Sequence, residues 1–183
     1  MGSSGFSLEL KAGADAFGDG SHPTTRGAMV ALEALSGFAG LQKALDIGCG
    51  SGVLALQMAY LWHIPVIASD INPLAVQATQ ANAEHNGLAP LVTALCADGY
   101  RHETIGAGAP YDLITCNWLA EQLHAHAREL SVHLAEEGIA IVSGILTAHA
   151  DSVIEAHRAA GLTLLQHIKV GDWSTLMLQK EEA

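Results

Sequence analysis

Leu45-Asp46-Ile47-Gly48-Cys49-Gly50-Ser51-Gly52 is followed, after an interval long enough for one helix and one strand, by Asp70-Ile71-Asn72-Pro73. An apolar strand that ends in Gly48, Gly50 and Gly52 must turn sharply into a helix, and it leaves backbone bare of side chains where a ligand can lie against it. The next strand, Pro65 to Ser69, delivers Asp70 to the same sheet edge, where a carboxylate can accept two hydrogen bonds from a ribose diol. Loop and acid together describe a site for a nucleotide-like ligand. The spacing is G-x-G-x-G, with Asp46 two residues before the first glycine, whereas the dinucleotide fingerprint is G-x-G-x-x-G. A nicotinamide-dependent oxidoreductase on a doubly wound fold is therefore a poorer match. The competing reading of the loop alone is a plain strand-to-helix connection.

Composition bounds the answer. A chain of 183 residues that is 50% hydrophobic suits one domain burying about 70% of the surface its unfolded form exposes. No apolar run approaches the roughly 20 residues needed to span a bilayer, and Met1 to Gly13 lacks the basic flank and apolar core of a signal peptide. The expectation is a cytoplasmic protein with no membrane partner. Residues 1–16 read as an amino-terminal tail whose opening Met-Gly-Ser-Ser-Gly is in part an expression remnant, and 17–183 as the domain. Cys49, Cys96 and Cys116 show no C-x-x-C spacing and sit near strand ends in apolar surroundings, as buried reduced thiols would. His124 and His126 stand two apart on an expected helix and point in different directions, so no metal site is expected. A net charge of −11, from 19 acids against 8 bases, opposes direct binding to nucleic acid and suits a basic partner or a neutral small molecule. It serves solubility equally well.

Strands are expected at Lys43–Ile47, Pro65–Ser69, Leu91–Cys96, Tyr111–Cys116, Gly138–Ser143, Leu162–Val170 and Trp173–Leu178, and helices at Thr24–Leu35, Val53–Leu61, Pro73–Asn86, Leu119–Leu134 and Ala148–Ala160. Helices between the first five strands imply parallel pairing. Only Gly171 and Asp172 separate the last two strands, which must form an antiparallel hairpin at one edge. The fold class is α/β: a Rossmann-like, seven-stranded, mostly parallel sheet with one antiparallel strand in the edge region and helices on both faces. Gly106-Ala107-Gly108-Ala109-Pro110 reads as a surface loop.

Ligands in such sheets settle beyond the carboxyl ends of the strands. The polar strand ends here are Asp46 with the glycine loop, Asp70, Asp98-Gly99 and Asn117-Trp118-Leu119-Ala120. With these residues the chain resembles the class I S-adenosylmethionine-dependent methyltransferases. More narrowly it is similar to the PrmA family of ribosomal protein methyltransferases, through Phe17-Gly18-Asp19-Gly20-Ser21-His22-Pro23-Thr24-Thr25, the glycine loop, Asp70-Ile71-Asn72-Pro73, Asn117 with Leu119-Ala120, Ser143-Gly144-Ile145-Leu146 and Asp172-Trp173. The resemblance implies S-adenosyl-L-methionine as cofactor. It implies contacts from Thr25, from Asp46, Gly48, Gly50 and Gly52 of the loop region, from Asp70 with Ile71, and from Asn117, with Asp98 and Gly99 near the adenine. Competing roles are local: Thr25 satisfying its own helix, Asp98 capping a turn, Asn117 holding the strand end.

The sequence departs from the family at three places. Family members carry an amino-terminal domain that presents the ribosomal protein, and little precedes Phe17 here, so the expectation is a domain lacking that substrate module. Asp19 and Ser21 stand where threonines are usual, and Trp118 replaces an aliphatic residue, which makes the expected acceptor pocket more aromatic unless the indole is a core or interface residue. The resemblance implies methyl transfer to a protein amine, on lysine or the N-terminus, or to a small molecule. Asn117 and Trp118, with the Asp19 to Thr25 loop, are the expected acceptor mouth. An amine must lose its proton before it offers a lone pair, and the Asn117 carbonyl is suited to orient its remaining hydrogens. The alternative to an enzyme is a non-catalytic cofactor-binding module.

Overall fold

A computed structural model describes residues 8–10 and 20–182. The tail at 1–7 and the stretch 11–19, which includes Phe17, Gly18 and Asp19, lie outside the described residues. The sheet contains β1 (Ala44–Ile47), β2 (Val66–Asp70), β3 (Val92–Cys96), β4 (Tyr111–Asn117), β5 (Leu134–Leu146), β6 (Leu162–Val170) and β7 (Trp173–Lys180) in the order β3-β2-β1-β4-β5-β7-β6. The first five strands pair in parallel, and β7 is antiparallel to both neighbours. The expected hairpin therefore exists, with its second strand folded inward between β5 and β6.

Side chains alternating across these strands bury two apolar layers. One, with Leu113 and Ile141 from the sheet, packs under α1 (Pro23–Ala34), α2 (Val53–Trp62) and α3 (Pro73–His85). The other, with Ile114 and Val142, packs under α4 (Glu103–Gly108), α5 (Ala120–His133) and α6 (Ala150–Ala159). Each such fully buried aliphatic side chain contributes roughly 1.5–3 kcal/mol. No helix among the described residues is long and apolar enough to cross a membrane.

Helix α3 starts where its sequence says it should. The Asn72 Oδ1 accepts from the Leu74 N–H at 3.0 Å, Pro73 occupies the first turn, and Gly87 follows the C-cap at φ +70°. The Gly106 to Pro110 run departs from expectation, because residues 103–108 form a short helix. His102 caps it by accepting from the Thr104 N–H, and Ile105 and the Tyr111 hydroxyl, which donates to the Ile105 carbonyl at 2.8 Å, anchor it to the core. Strand β5 begins four residues earlier than expected. Between Tyr111↔Leu134 and Leu113↔Ile139 it contains extra residues, a bulge in which Glu137 adopts φ +59°. Cys49 and Cys116 are buried, but Cys96 is exposed at the outer strand β3, which corrects the expectation of three buried thiols.

Candidate functional site

The strand order reverses at β1, which has β2 on one side and β4 on the other, and the cleft beyond that point is where a doubly wound sheet accepts ligands. A cavity of about 290 Å³ opens there. Its wall includes Thr25, Gly48, Cys49, Gly50, Asp70, Ile71, Asp98, Gly99, Asn117 and Trp118, so the structure brings most of the expected site residues to one space. It also contains residues that the sequence reading did not place at the ligand, among them Gln122 and His126 of α5. Their spacing of four on one helix face was the available signal.

Asp70 organises the loop. Its Oδ2 accepts from the Gly50 N–H at 3.0 Å and its Oδ1 from the Asn72 N–H at 2.9 Å, which leaves about half of the carboxylate's lone-pair positions for a ligand. The other loop donors are turned inward. The N–H groups of Gly48 and Cys49 both donate to the Ser69 carbonyl, at 2.8 and 2.9 Å, and that of Gly52 donates to the Cys49 carbonyl at 2.8 Å. Thr79 and Asn82 of α3 pin the loop from behind by donating to the Gly50 and Ser51 carbonyls. A phosphate cradle needs free N–H groups aimed at the ligand. This loop has few to offer, so its chemistry suits a ligand that brings hydrogen-bond donors such as hydroxyls.

Asp46 and Gly52, both expected at the ligand, stand behind the cavity wall. A side chain on Gly52 would run into Thr79 and Leu56, so its φ of +82° serves the turn and the packing of α3 against α2. Asp46 faces the buried side of β1, where its Oδ1 accepts from the Thr115 hydroxyl at 2.6 Å and its Oδ2 has no hydrogen-bond partner. Burial pushes its pKa up to about 7, with a smaller push from the Asp70 charge, while the Thr115 hydroxyl and the Ala55 backbone offset part of the rise. Between the unfolded value of 3.8 and about 7 the folded protein keeps a proton that the unfolded chain has released. This contribution to stability is full below 3.8 and is lost as pH rises through that window, at no more than about 1.4 kcal/mol per pH unit. Buried His157, whose pKa is lowered by desolvation, acts in the opposite sense as pH falls through its ordinary value, but it is common to wild type and variant. Thermal melts of Asp46→Asn should therefore show a flatter approach to pH 7.5 from pH 5 than wild type. Parallel profiles would mean that Asp46 ionises freely.

A second cavity of about 320 Å³ adjoins the first, lined by His22, Thr24, Asn117, Trp118, Leu119, Gln122, Gly144 and Trp173. The two share Asn117, Trp118 and Gln122. A hydrogen-bond chain decides how Asn117 faces this junction. The Thr24 hydroxyl lies 2.8 Å from His22 Nδ1 and accepts from Asn117 Nδ2 at 3.3 Å. His22 Nδ1 also accepts from the Thr24 N–H at 3.4 Å, so it is the unprotonated ring nitrogen and the hydroxyl donates to it, while the Asn117 amide nitrogen is committed to α1 and Oδ1 is left as an acceptor. The Ser143 hydroxyl, donating to the Thr24 carbonyl at 2.8 Å, holds the start of α1 against β5.

Trp118, expected at the acceptor mouth, borders both cavities. Its indole lies against Gly48, where any side chain would strike Nε1, and reaches Gly99, so it walls the first cavity as well as the second. Its carbonyl is pressed against Gly144, which holds φ +86°. The aromatic side chain given to the second cavity alone is Trp173, edge-on to His22 with ring centroids 5.3 Å apart.

The sequence and the fold have counterparts among known proteins. The sequence profile of the family described as ribosomal protein L11 methyltransferase (PrmA) matches residues 3–181. A ribosomal protein L11 methyltransferase from Rhodopseudomonas palustris is 40% identical over 94% of this chain and 58% of the relative, and one from Mesorhizobium japonicum is 39% identical over 94% and 59%. The chain thus spans about three-fifths of the length of these curated relatives. Among solved structures, a ribosomal protein L11 methylase from Lactobacillus delbrueckii subsp. bulgaricus superimposes with a TM-score of 0.75 at 27% identity, covering 89% of this chain and 81% of that one. An RNA methyltransferase from Salinibacter ruber, solved with S-adenosyl-L-homocysteine, shares the fold at a TM-score of 0.64 and 14% identity, over 84% and 92% of the two chains. On the profile match along nearly its whole length, the chain belongs to the ribosomal protein L11 methyltransferase (PrmA) family.

Proposed function

We propose that this domain is an S-adenosyl-L-methionine-dependent methyltransferase whose acceptor is an amine on a protein of the ribosomal protein L11 class. One observation carries the reading: two cavities meet at an asparagine whose carbonyl is fixed as an acceptor. The first fits the donor. Asp70 has lone pairs for a ribose diol, Gly48 and Gly50 leave bare backbone, and the buried Thr25 Oγ1, in the cavity wall, has no partner of its own. When bound, S-adenosylmethionine supplies an electrophilic methyl group on its sulfonium.

The chain's own work is then alignment and exclusion of water. Trp118 and Trp173 wall the second cavity with aromatic surface that accommodates the alkyl stem of a lysine and favours a cationic head as it arrives. A protonated amine has no lone pair, so a proton must leave to solvent before transfer. Asn117 Oδ1 then accepts from a remaining N–H and orients the lone pair. The negative chain favours a basic acceptor protein, and the relatives are named for a ribosomal protein.

Incubating the protein with S-adenosylmethionine labelled in its methyl group and a purified L11-type ribosomal protein should put label on lysine or N-terminal amines. Label confined to small molecules of a cell extract would refute the protein acceptor.

A further inference from the structure

Trp118 lies across the path that the methyl donor must take. The strand order runs β3-β2-β1-β4, so a ligand with its ribose at Asp70, on the end of β2, and its sulfonium at Asn117, on the end of β4, crosses the end of β1. Gly48 directly follows β1. It has no side chain of its own, yet the position a Cβ would take there is 2.3 Å from the indole Nε1, 2.9 Å from Cδ1 and 3.4 Å from Cε2. The same ring extends its Cη2 to 3.6 Å from the corresponding position at Gly99, beyond β3. The indole and a ligand that crosses β1 cannot share this space.

The backbone of Trp118 is fixed. Its N–H donates to the Ser143 carbonyl at 3.1 Å, and its own carbonyl is packed against Gly144, 2.3 Å from where a Cβ would stand. The ring is held less firmly. Among the described residues its Nε1 makes no hydrogen bond, whereas Nε1 of Trp62 donates to the Phe38 carbonyl at 3.1 Å. His126 and Tyr100 meet the ring edge to face, with centroids 5.2 and 6.5 Å away. The side-chain torsions are therefore the hinge, and the adjoining space is the second cavity, which Trp118 already borders.

We propose that Trp118 is a movable partition: the arriving donor turns the indole off Gly48 into the second cavity, where it closes with Trp173 on the alkyl stem of the acceptor. The inference rests on the donor reading above. It sets an order of binding, because the acceptor site takes its final shape only once the donor is in place. Trp118 is then an obstacle to the donor and a positioning residue for the acceptor, and removing the indole has opposite effects on the two.

A crystal structure of the wild-type protein with S-adenosylhomocysteine reads the motion directly and needs no variant to fold. The indole should stand beside Trp173, with the ligand over Gly48. An indole still on Gly48 with the ligand bound would overturn the proposal and leave the donor reading intact. In calorimetry, Trp118→Leu should bind S-adenosylhomocysteine at least about threefold more tightly than wild type, because no ring held by two edge-to-face contacts has to be displaced. With a purified L11-type ribosomal protein as acceptor, the same variant should show an acceptor KM raised about tenfold. Donor binding equal to or weaker than that of wild type, or an acceptor KM that does not rise, would mean a fixed wall and would also overturn the proposal. If neither protein binds S-adenosylhomocysteine, the donor reading falls together with this inference.

Discussion

Asp70→Ala should weaken the binding of S-adenosylmethionine by at least about a hundredfold. The carboxylate has two tasks that no neighbour can take over. It accepts from the Gly50 and Asn72 N–H groups, which fixes the glycine loop and the start of α3, and it offers its remaining lone pairs to a ribose diol. Hydrogen bonds to a charged group are worth about 1.5–3 kcal/mol each, so losing two from the ligand alone accounts for a factor of a hundred or more. Asp70 is only partly buried, and its loss should cost the fold little. The two tasks separate in a double cycle with a donor analogue lacking a ribose hydroxyl. Wild type should lose affinity for the analogue, and the variant should lose no more. If Asp70→Ala binds within a few-fold of wild type, the ribose does not sit there.

Asn117→Ala should act on turnover rather than on donor affinity. The side chain stands where the cavities meet, its nitrogen tied to Thr24 and its carbonyl free to hold an amine hydrogen. Removing one preorganised polar contact to a reacting group typically costs 10²–10³ in kcat, and a fall of about that size is expected here, with the dissociation constant of S-adenosylmethionine changed by less than about tenfold. The Asn117–Thr24 bond is long at 3.3 Å and only part-buried, so the melting temperature should drop by a few degrees at most. An equal loss of turnover and donor affinity would place Asn117 in donor binding alone. An unchanged rate would remove it from the chemistry.

Much of this molecule was legible because its signals are local. Strands β1 to β4 are apolar runs bounded by glycine, proline or aspartate, and α3 carries its cap, its proline and its terminating glycine in the sequence. The glycine loop and Asp70 could be paired before any coordinates because the intervening helix and strand fix where the acid emerges. What escaped depends on distant partners. Glycines at 106 and 108 argue against a helix, yet Ile105 and Tyr111 hold one by burial. Residues 135–137, left between the expected helix ending at Leu134 and the expected strand beginning at Gly138, belong to a bulge inside β5, created by pairing with β4. Asp46 looked like a ligand contact because it is next to the loop in sequence, but the period of two along a strand sends its side chain to the buried face of β1. Its high pKa is the physical cost of that placement. The register that puts Trp118 on Gly48, and the packing of α5 that carries Gln122 and His126 to the donor cavity, belong to the tertiary structure alone.

The claim on which the rest depends is that the cleft between β1 and β4 takes S-adenosylmethionine rather than a dinucleotide. Calorimetric titration of the purified protein with S-adenosylmethionine, and separately with NAD, tests it most directly. The inward-turned N–H groups of the loop and the free lone pairs of Asp70 predict saturable one-to-one binding of S-adenosylmethionine and none of NAD. Binding of NAD with no heat from S-adenosylmethionine would contradict the account.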